Sequence, residues 1–144
     1  MDTIVVGVDG SEASGVALEF AVEEAARRKG KLRVVSTWEF PAIPQPEMAV
    51  APGVVEAYRE QAEITVAEAV ERAKELAPDV PTEGAVFGGY AGDVLVDEGR
   101  GAAVLVLGRR GRGGLAGLLM GSVSRYVADR APCPVVIVPP LTGL

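Results

Sequence analysis

Residues 108 to 122 read GRRGRGGLAGLLMGS and directly follow the apolar run AAVLVL. Four glycines fall within the first seven residues, with Arg109, Arg110 and Arg112 among them. Glycine lets successive backbone N–H groups turn toward one point, and a phosphate accepts hydrogen bonds from several at once. A helix starting near Gly121 would add unpaired N–H groups and the positive end of its dipole, with the Ser122 hydroxyl beside them. Together these residues describe a polyphosphate cradle. The same composition also suits a tight connector with solvated arginines, and the residues alone leave both readings open.

Two better-known phosphate motifs do not fit. The Walker loop needs Gly-Lys followed by Ser or Thr, and the sole Gly-Lys here, Gly30-Lys31, precedes Leu32. A dinucleotide fingerprint can be forced onto Gly111, Gly113 and Ala116, but it lies well after the first strand–helix unit and lacks the acidic strand-end residue that reads the ribose. Asp9, in the run VDGS, is the other pointed residue. At a strand's carboxyl end it could accept from ribose hydroxyls or hold Mg2+, but Asp-Gly-Ser is equally good turn chemistry. The chain has no histidine, which removes His-dependent triads, His general bases and His metal sites. Its single cysteine, Cys133, excludes an internal disulfide.

Alternating hydrophobic periods predict the elements that must carry these residues. Short apolar runs at Thr3 to Val8, Leu32 to Trp38, Thr82 to Phe87, Ala102 to Leu107 and Pro134 to Val138 read as strands. Helices are expected from Ser11, as N-cap, to about Lys29, from Val54 to Ala77, from Asp93 to Arg100 and from Ser122 to Arg130. Gly30 is expected as the left-handed residue that ends the first helix. Its buried stripe should be Ser14, Ala17, Leu18, Ala21, Val22 and Ala25. That of the second helix should be Tyr58, Ala62, Val66, Ala69, Val70, Ala73 and Leu76. The proline-rich stretch from Phe40 to Gly53 reads as a long loop. Strands alternating with helices predict an α/β fold, a parallel sheet with helices on both faces. In such sheets ligands bind beyond the carboxyl ends of the strands where strand order reverses, so Asp9 and the glycine loop would share a crevice if their strands were neighbours.

The chain has 144 residues, the size of one domain, and no second domain is expected. The formal net charge of −6 disfavours nucleic acid and anionic membranes as partners. No apolar window is long enough to span a membrane. The first residues read as a strand rather than a signal peptide, so a cytoplasmic location is expected.

Gly108-x2-Gly111-x9-Gly121-Ser122 resembles the glycine signature of the nucleotide-binding branch of the universal stress proteins. IVVGVDGS at the start, AVEEAARRKGKLRVVSTW in the first helix and second strand, and GSVSRYVADRAPCPVVIV near the end are also similar to that family, especially its actinobacterial members. The resemblance implies a Rossmann-like domain with sheet order 3-2-1-4-5, ATP as ligand together with Mg2+, and a homodimer paired through the last strand, Pro134 to Val138. It implies that Asp9 and the backbone at Gly7 meet the adenosine, that the backbone at Thr37 contacts adenine, that Gly108, Gly111, Arg112 and Gly113 wrap the phosphates, and that Gly121, Ser122 and Val123 close the site. Arg109 stands where many relatives carry a small or neutral residue, and it adds charge to the same loop.

Two functions follow as expectations. The first is an ATP-binding stress-response module that regulates rather than catalyses. The alternative is a slow ATPase or self-phosphorylating enzyme, with Ser122 or Ser124 as phosphoryl acceptor, although no general base stands near the phosphate end.

Overall fold

A computed structural model of the protein describes residues 1–39, 52–109 and 120–140. Five strands form one parallel sheet: β1 (Thr3–Gly7), β2 (Lys31–Trp38), β3 (Thr82–Gly88), β4 (Val104–Gly108) and β5 (Val135–Val138). Between them run α1 (Glu12–Arg28), α2 (Val54–Leu76), α3 (Ala91–Glu98) and α4 (Ser122–Arg130). The order across the sheet is β3-β2-β1-β4-β5, so the chain winds outward from β1 to one edge, returns to β4, and continues to the other edge. This is the α/β, Rossmann-like arrangement expected from the alternating pattern.

The central strands β1 and β4 are apolar on both sides because both sides are covered. On one face Ile4, Val6, Val8, Leu32, Val34, Val104 and Val106 pack against the stripes of α1 and α2. On the other, Val5, Val35, Leu105 and Leu107 meet Leu95 of α3 and Val127 of α4. The six residues expected on the inner stripe of α1 are the six it buries. Ser11 caps that helix, its Oγ accepting from the Ser14 N–H at 3.2 Å.

Several boundaries and one cap differ from expectation. The left-handed residue closing α1 is Lys29 (φ 54°), not Gly30. Gly30 is needed for another reason: a Cβ there would lie 2.4 Å from the carbonyl oxygen of Asp2, which accepts from the Lys31 N–H to start the β1–β2 pairing. In α2 only Ala62, Val66 and Ala73 are fully buried; Ala69 and Val70 pack partly against the core. Tyr58 and Leu76 are exposed. The third helix starts two residues before Asp93, with Tyr90 as N-cap, and ends at Glu98. β4 begins at Val104 rather than Ala102. The loop expected over Phe40 to Gly53 lies largely outside the described residues. Among the described residues no helix is long and apolar enough to cross a membrane.

Candidate functional site

β1 and β4 are neighbours, paired Ile4 with Val104, Val5 with Leu105 and Val6 with Val106. The order of the sheet reverses between them, so Asp9 after β1 and Arg109 after β4 leave the sheet from neighbouring strands at the carboxyl ends, where sheets of this kind bind ligands in a crevice. After β1 the chain turns through Asp9 and Gly10 (φ 82°) into α1. The Asp9 carboxylate accepts from the Ser11 N–H at 2.9 Å, and the Asp9 N–H donates to Ser14 Oγ at 3.3 Å. Asp9 therefore makes the turn that sequence chemistry suggested, and it does so at the mouth of the crevice.

β4 ends at Gly108, against the first turn of α1. A Cβ on Gly108 would sit 2.8 Å from the Ala13 carbonyl oxygen, so only glycine lets strand and helix approach this closely. Gly108 is thus required by packing, whatever else it contacts. Gly7 is similar: a Cβ there would meet the side chains of Leu107 and Leu95. Thr37 lies two residues beyond Val35, the partner of Gly7, on the same carboxyl side of the sheet, and pairs with Phe87.

The base of the glycine segment is closed by hydrogen bonds. The Arg109 N–H donates to Val138 O at 2.9 Å, and the Gly121 N–H donates to Arg109 O at 2.8 Å. Ser124 Oγ reaches both Gly108 O (3.0 Å) and Arg109 O (2.9 Å). Gly121 is the N-cap of α4 and gives its first turn no side-chain hydrogen bond. Ser122 is exposed there, while Val123 packs its side chain on the core and can meet a ligand only through its backbone. Arg109 Nε is buried without a hydrogen-bond partner. A helix start without a side-chain cap and a buried, unpartnered Nε each suit an anion.

Of the residues expected to form the site, Gly7, Asp9, Thr37, Gly108, Arg109, Gly121, Ser122 and Val123 lie at or beside the carboxyl ends of β1, β2 and β4. Gly111, Arg112 and Gly113, like Arg110, lie outside the described residues. Ser124 is only 3% exposed and its hydroxyl donates to two carbonyls, whereas Ser122, the other serine expected as a phosphoryl acceptor, is exposed. Ser124 as a structural clamp escaped the sequence reading.

A doubly wound sheet with a ligand crevice at its reversal point defines a large class of α/β proteins. Within that class the chain belongs to the universal stress protein family, whose family model matches residues 1–139. It is 36% identical over 135 residues to the universal stress protein Rv2005c of Mycobacterium tuberculosis, covering 93% of this chain and 44% of that one. The chain therefore spans about half the length of the curated relatives it matches. Among solved structures, a universal stress protein in complex with cAMP is 33% identical, with a TM-score of 0.68 and 95% and 96% of the two chains covered. The universal stress protein of Archaeoglobus fulgidus in complex with dAMP is 26% identical, with a TM-score of 0.66 and 95% and 97% covered. Members of the family thus include proteins that bind adenine nucleotides.

Proposed function

We propose that this chain is an ATP-binding regulatory module of the universal stress protein family, forming one domain over residues 1–144. The observation carrying this reading is the β1–β4 adjacency, which brings Asp9 and the Gly108–Arg109 and Gly121–Ser122 ends of the glycine segment to one crevice. Asp9 serves the ribose, and the backbones at Gly7 and Thr37 serve the adenosine end. Gly108, Arg109, Gly111, Arg112 and Gly113, with Gly121, Ser122 and Val123 at the start of α4, serve the phosphates, whose charge Mg2+ shares. The buried, unpartnered Nε of Arg109 supports an anionic ligand. Adenine nucleotides in solved relatives support the base. A homodimer through β5 is supported by its place at the sheet edge and by its four half-buried apolar residues. A cytoplasmic location belongs to the same reading.

The test is calorimetric titration of nucleotide-stripped protein with Mg-ATP, beside Gly111→Ala. Saturable binding by the wild type, lost in a variant that melts at the same temperature, is the expected result. A folded wild type that takes up no nucleotide would sink the proposal.

A further inference from the structure

β3 is an edge of the sheet, and among the described residues no strand pairs with its outer side. Thr82 to Gly88 match Leu32 to Trp38 residue for residue, without a bulge. The Leu32 N–H donates to Pro81 O and the Gly89 N–H donates to Trp38 O, both at 2.9 Å, which fixes the phase of the parallel ladder. Glu83, Ala85 and Phe87 turn their backbone groups toward β2, and Thr82, Gly84, Val86 and Gly88 turn theirs outward. Exposed edges are ordinarily blunted by lysine, proline or a bulge. β3 has none of these: it reads TEGAVFG, and its one charged residue, Glu83, reaches back across the sheet to Arg33.

A groove of about 560 Å3 opens between this edge and α2, lined by Arg59, Glu63, Val66 and Ala67 of the helix and by Gly84 and Val86 of the strand. Gly84 lets the two walls approach, since a Cβ there would collide with the Val66 side chain. Glu56, Glu60, Glu63, Ala67 and Glu71 are exposed and follow one row along α2, spaced by three or four residues, on the side that lines the groove. Among the described residues only Glu63 of this row is in an ion pair, with Arg59 at 3.6 Å. Lys74, nearer the end of the helix, is the other base on this side. The lining is therefore apolar at Val66, Ala67 and Val86, and the helix above it is acidic.

A strand laid along β3 would bond to the outward groups of Thr82, Gly84, Val86 and Gly88, and every second side chain of it would point toward α2. A lysine or arginine at those places lays its methylene stem on the apolar lining and carries its head to the carboxylate row. A second copy of the chain fits poorly. Two β3 edges paired antiparallel about a two-fold axis put both α2 helices on one face of the joined sheet, acidic row against acidic row.

We propose that the β3 edge and α2 form a docking site for an extended, basic segment of a partner protein, with Lys or Arg at alternate positions, which joins the sheet as an added strand. β2 and β1 separate this edge from β4, so the site stands apart from the crevice and does not depend on the nucleotide reading.

The probe is a synthetic peptide as long as β3 in which Val and Lys alternate, beside a counterpart alternating Val and Glu. Both are titrated into the full chain, with amide hydrogen exchange and NMR shifts as readouts. Without peptide the Gly84 and Val86 amides should exchange at least about tenfold faster than those of Ala85 and Phe87, which are bonded to β2. Saturating Val–Lys peptide should slow Gly84 and Val86 about tenfold or more, and far more than Ala85 and Phe87. That alternation is the signature of an added strand. The Val–Glu peptide should bind at least about tenfold more weakly, and Glu60→Lys combined with Glu71→Lys should weaken the Val–Lys peptide about fivefold. Val86→Pro removes an outward N–H where an edge strand tolerates proline, and should abolish the protection at Gly84. If that variant does not fold, the two exposed charge reversals decide. Gly84 and Val86 amides already protected without peptide overturn the proposal: protection that grows with protein concentration means a second copy covers the edge, and protection that does not means the chain covers its own edge. Absence of binding by the Val–Lys peptide, equal binding of the two peptides, or protection without the alternation overturns it as well.

Discussion

The Cα of Gly108 lies so near the Ala13 carbonyl that an added Cβ would stand 2.8 Å from its oxygen and 2.9 Å from its carbon. The strand that launches the glycine segment and the helix that follows Asp9 therefore touch backbone to backbone. This contact makes the two halves of the crevice a single rigid object. It also gives Gly108 a role in the fold beside the one proposed for it at the phosphates.

Gly108→Ala should accordingly destabilise the ligand-free protein. The obstacle is backbone rather than the end of a flexible side chain, so relief requires α1 to shift, at a cost of about 1–3 kcal/mol. Thermal melting without nucleotide checks this, with an expected fall of several degrees. An unchanged melting temperature would mean that the strand–helix contact is looser than drawn.

Asp9 accepts the Ser11 N–H through its carboxylate at 2.9 Å, a bond that an amide oxygen can also accept. Asp9→Asn should keep the turn and the melting temperature. Asp9→Ala should lose about 1 kcal/mol of stability. Under the nucleotide reading Asp9→Ala weakens ATP, ADP and adenosine alike. A loss confined to ATP would place Asp9 at the phosphates instead.

Arg33 on β2 reaches Glu98 on α3 with two nitrogens, at 2.7 and 3.4 Å, and Glu83 on β3 with a third at 3.1 Å. The Glu98 hydrogen bond is the main reason the guanidinium pKa lies above its ordinary value. Arg33 and Glu98 side chains are 27% and 17% exposed, so the pair is screened less than a surface pair. A double-mutant cycle with Arg33→Met and Glu98→Gln should give a coupling of about 1 kcal/mol, reduced only partly by 1 M salt. A coupling near zero would place this bridge with ordinary surface pairs.

Tyr126 donates its hydroxyl to the Asp93 carboxylate, joining α4 to α3. Tyr90 meets the Tyr126 ring edge-on with centroids 5.1 Å apart, and the Arg130 guanidinium lies 3.9 Å from its centre. The hydrogen bond to Asp93, with lesser contributions from burial and the Asp93 charge, raises the phenol pKa above 10.0. The folded state holds this proton more tightly than the unfolded chain. The resulting stability is complete below the unfolded pKa and is lost as pH rises from there through the folded value. Wild-type protein should lose stability over that alkaline window, and Tyr126→Phe should flatten this part of the profile. Parallel profiles would assign the alkaline loss to other groups.

The sheet was legible because short apolar runs, continuous in β1 and β4, alternate with stretches of helical period. α1 is the clearest case: capping serine and six-residue stripe agree with the structure. The stripe of α2 was over-read at Tyr58 and Leu76, because a periodic pattern does not reveal how much of a helix face its neighbours cover. Gly30 was read by its type as a helix terminator, yet Lys29 adopts the left-handed turn and Gly30 makes room for Asp2. That approach comes from the neighbouring strand and has no local signature. The crevice was readable from topology once β1 and β4 were expected side by side. Ser124 was not, since its partners Gly108 and Arg109 lie 16 and 15 residues away.

The bond from the Gly121 N–H to Arg109 O gives the segment between them the character of an exchangeable cassette. Its two flanking residues are anchored to each other, and Arg109 is anchored to β5 as well, through Val138 O. Lengthening a tied loop is cheap, about 0.6 kcal/mol for each doubling. Segments of other lengths and charges could therefore be grafted between Arg109 and Gly121 while sheet, helices and the Asp9 turn keep their places, which separates what this scaffold grips from what keeps it folded.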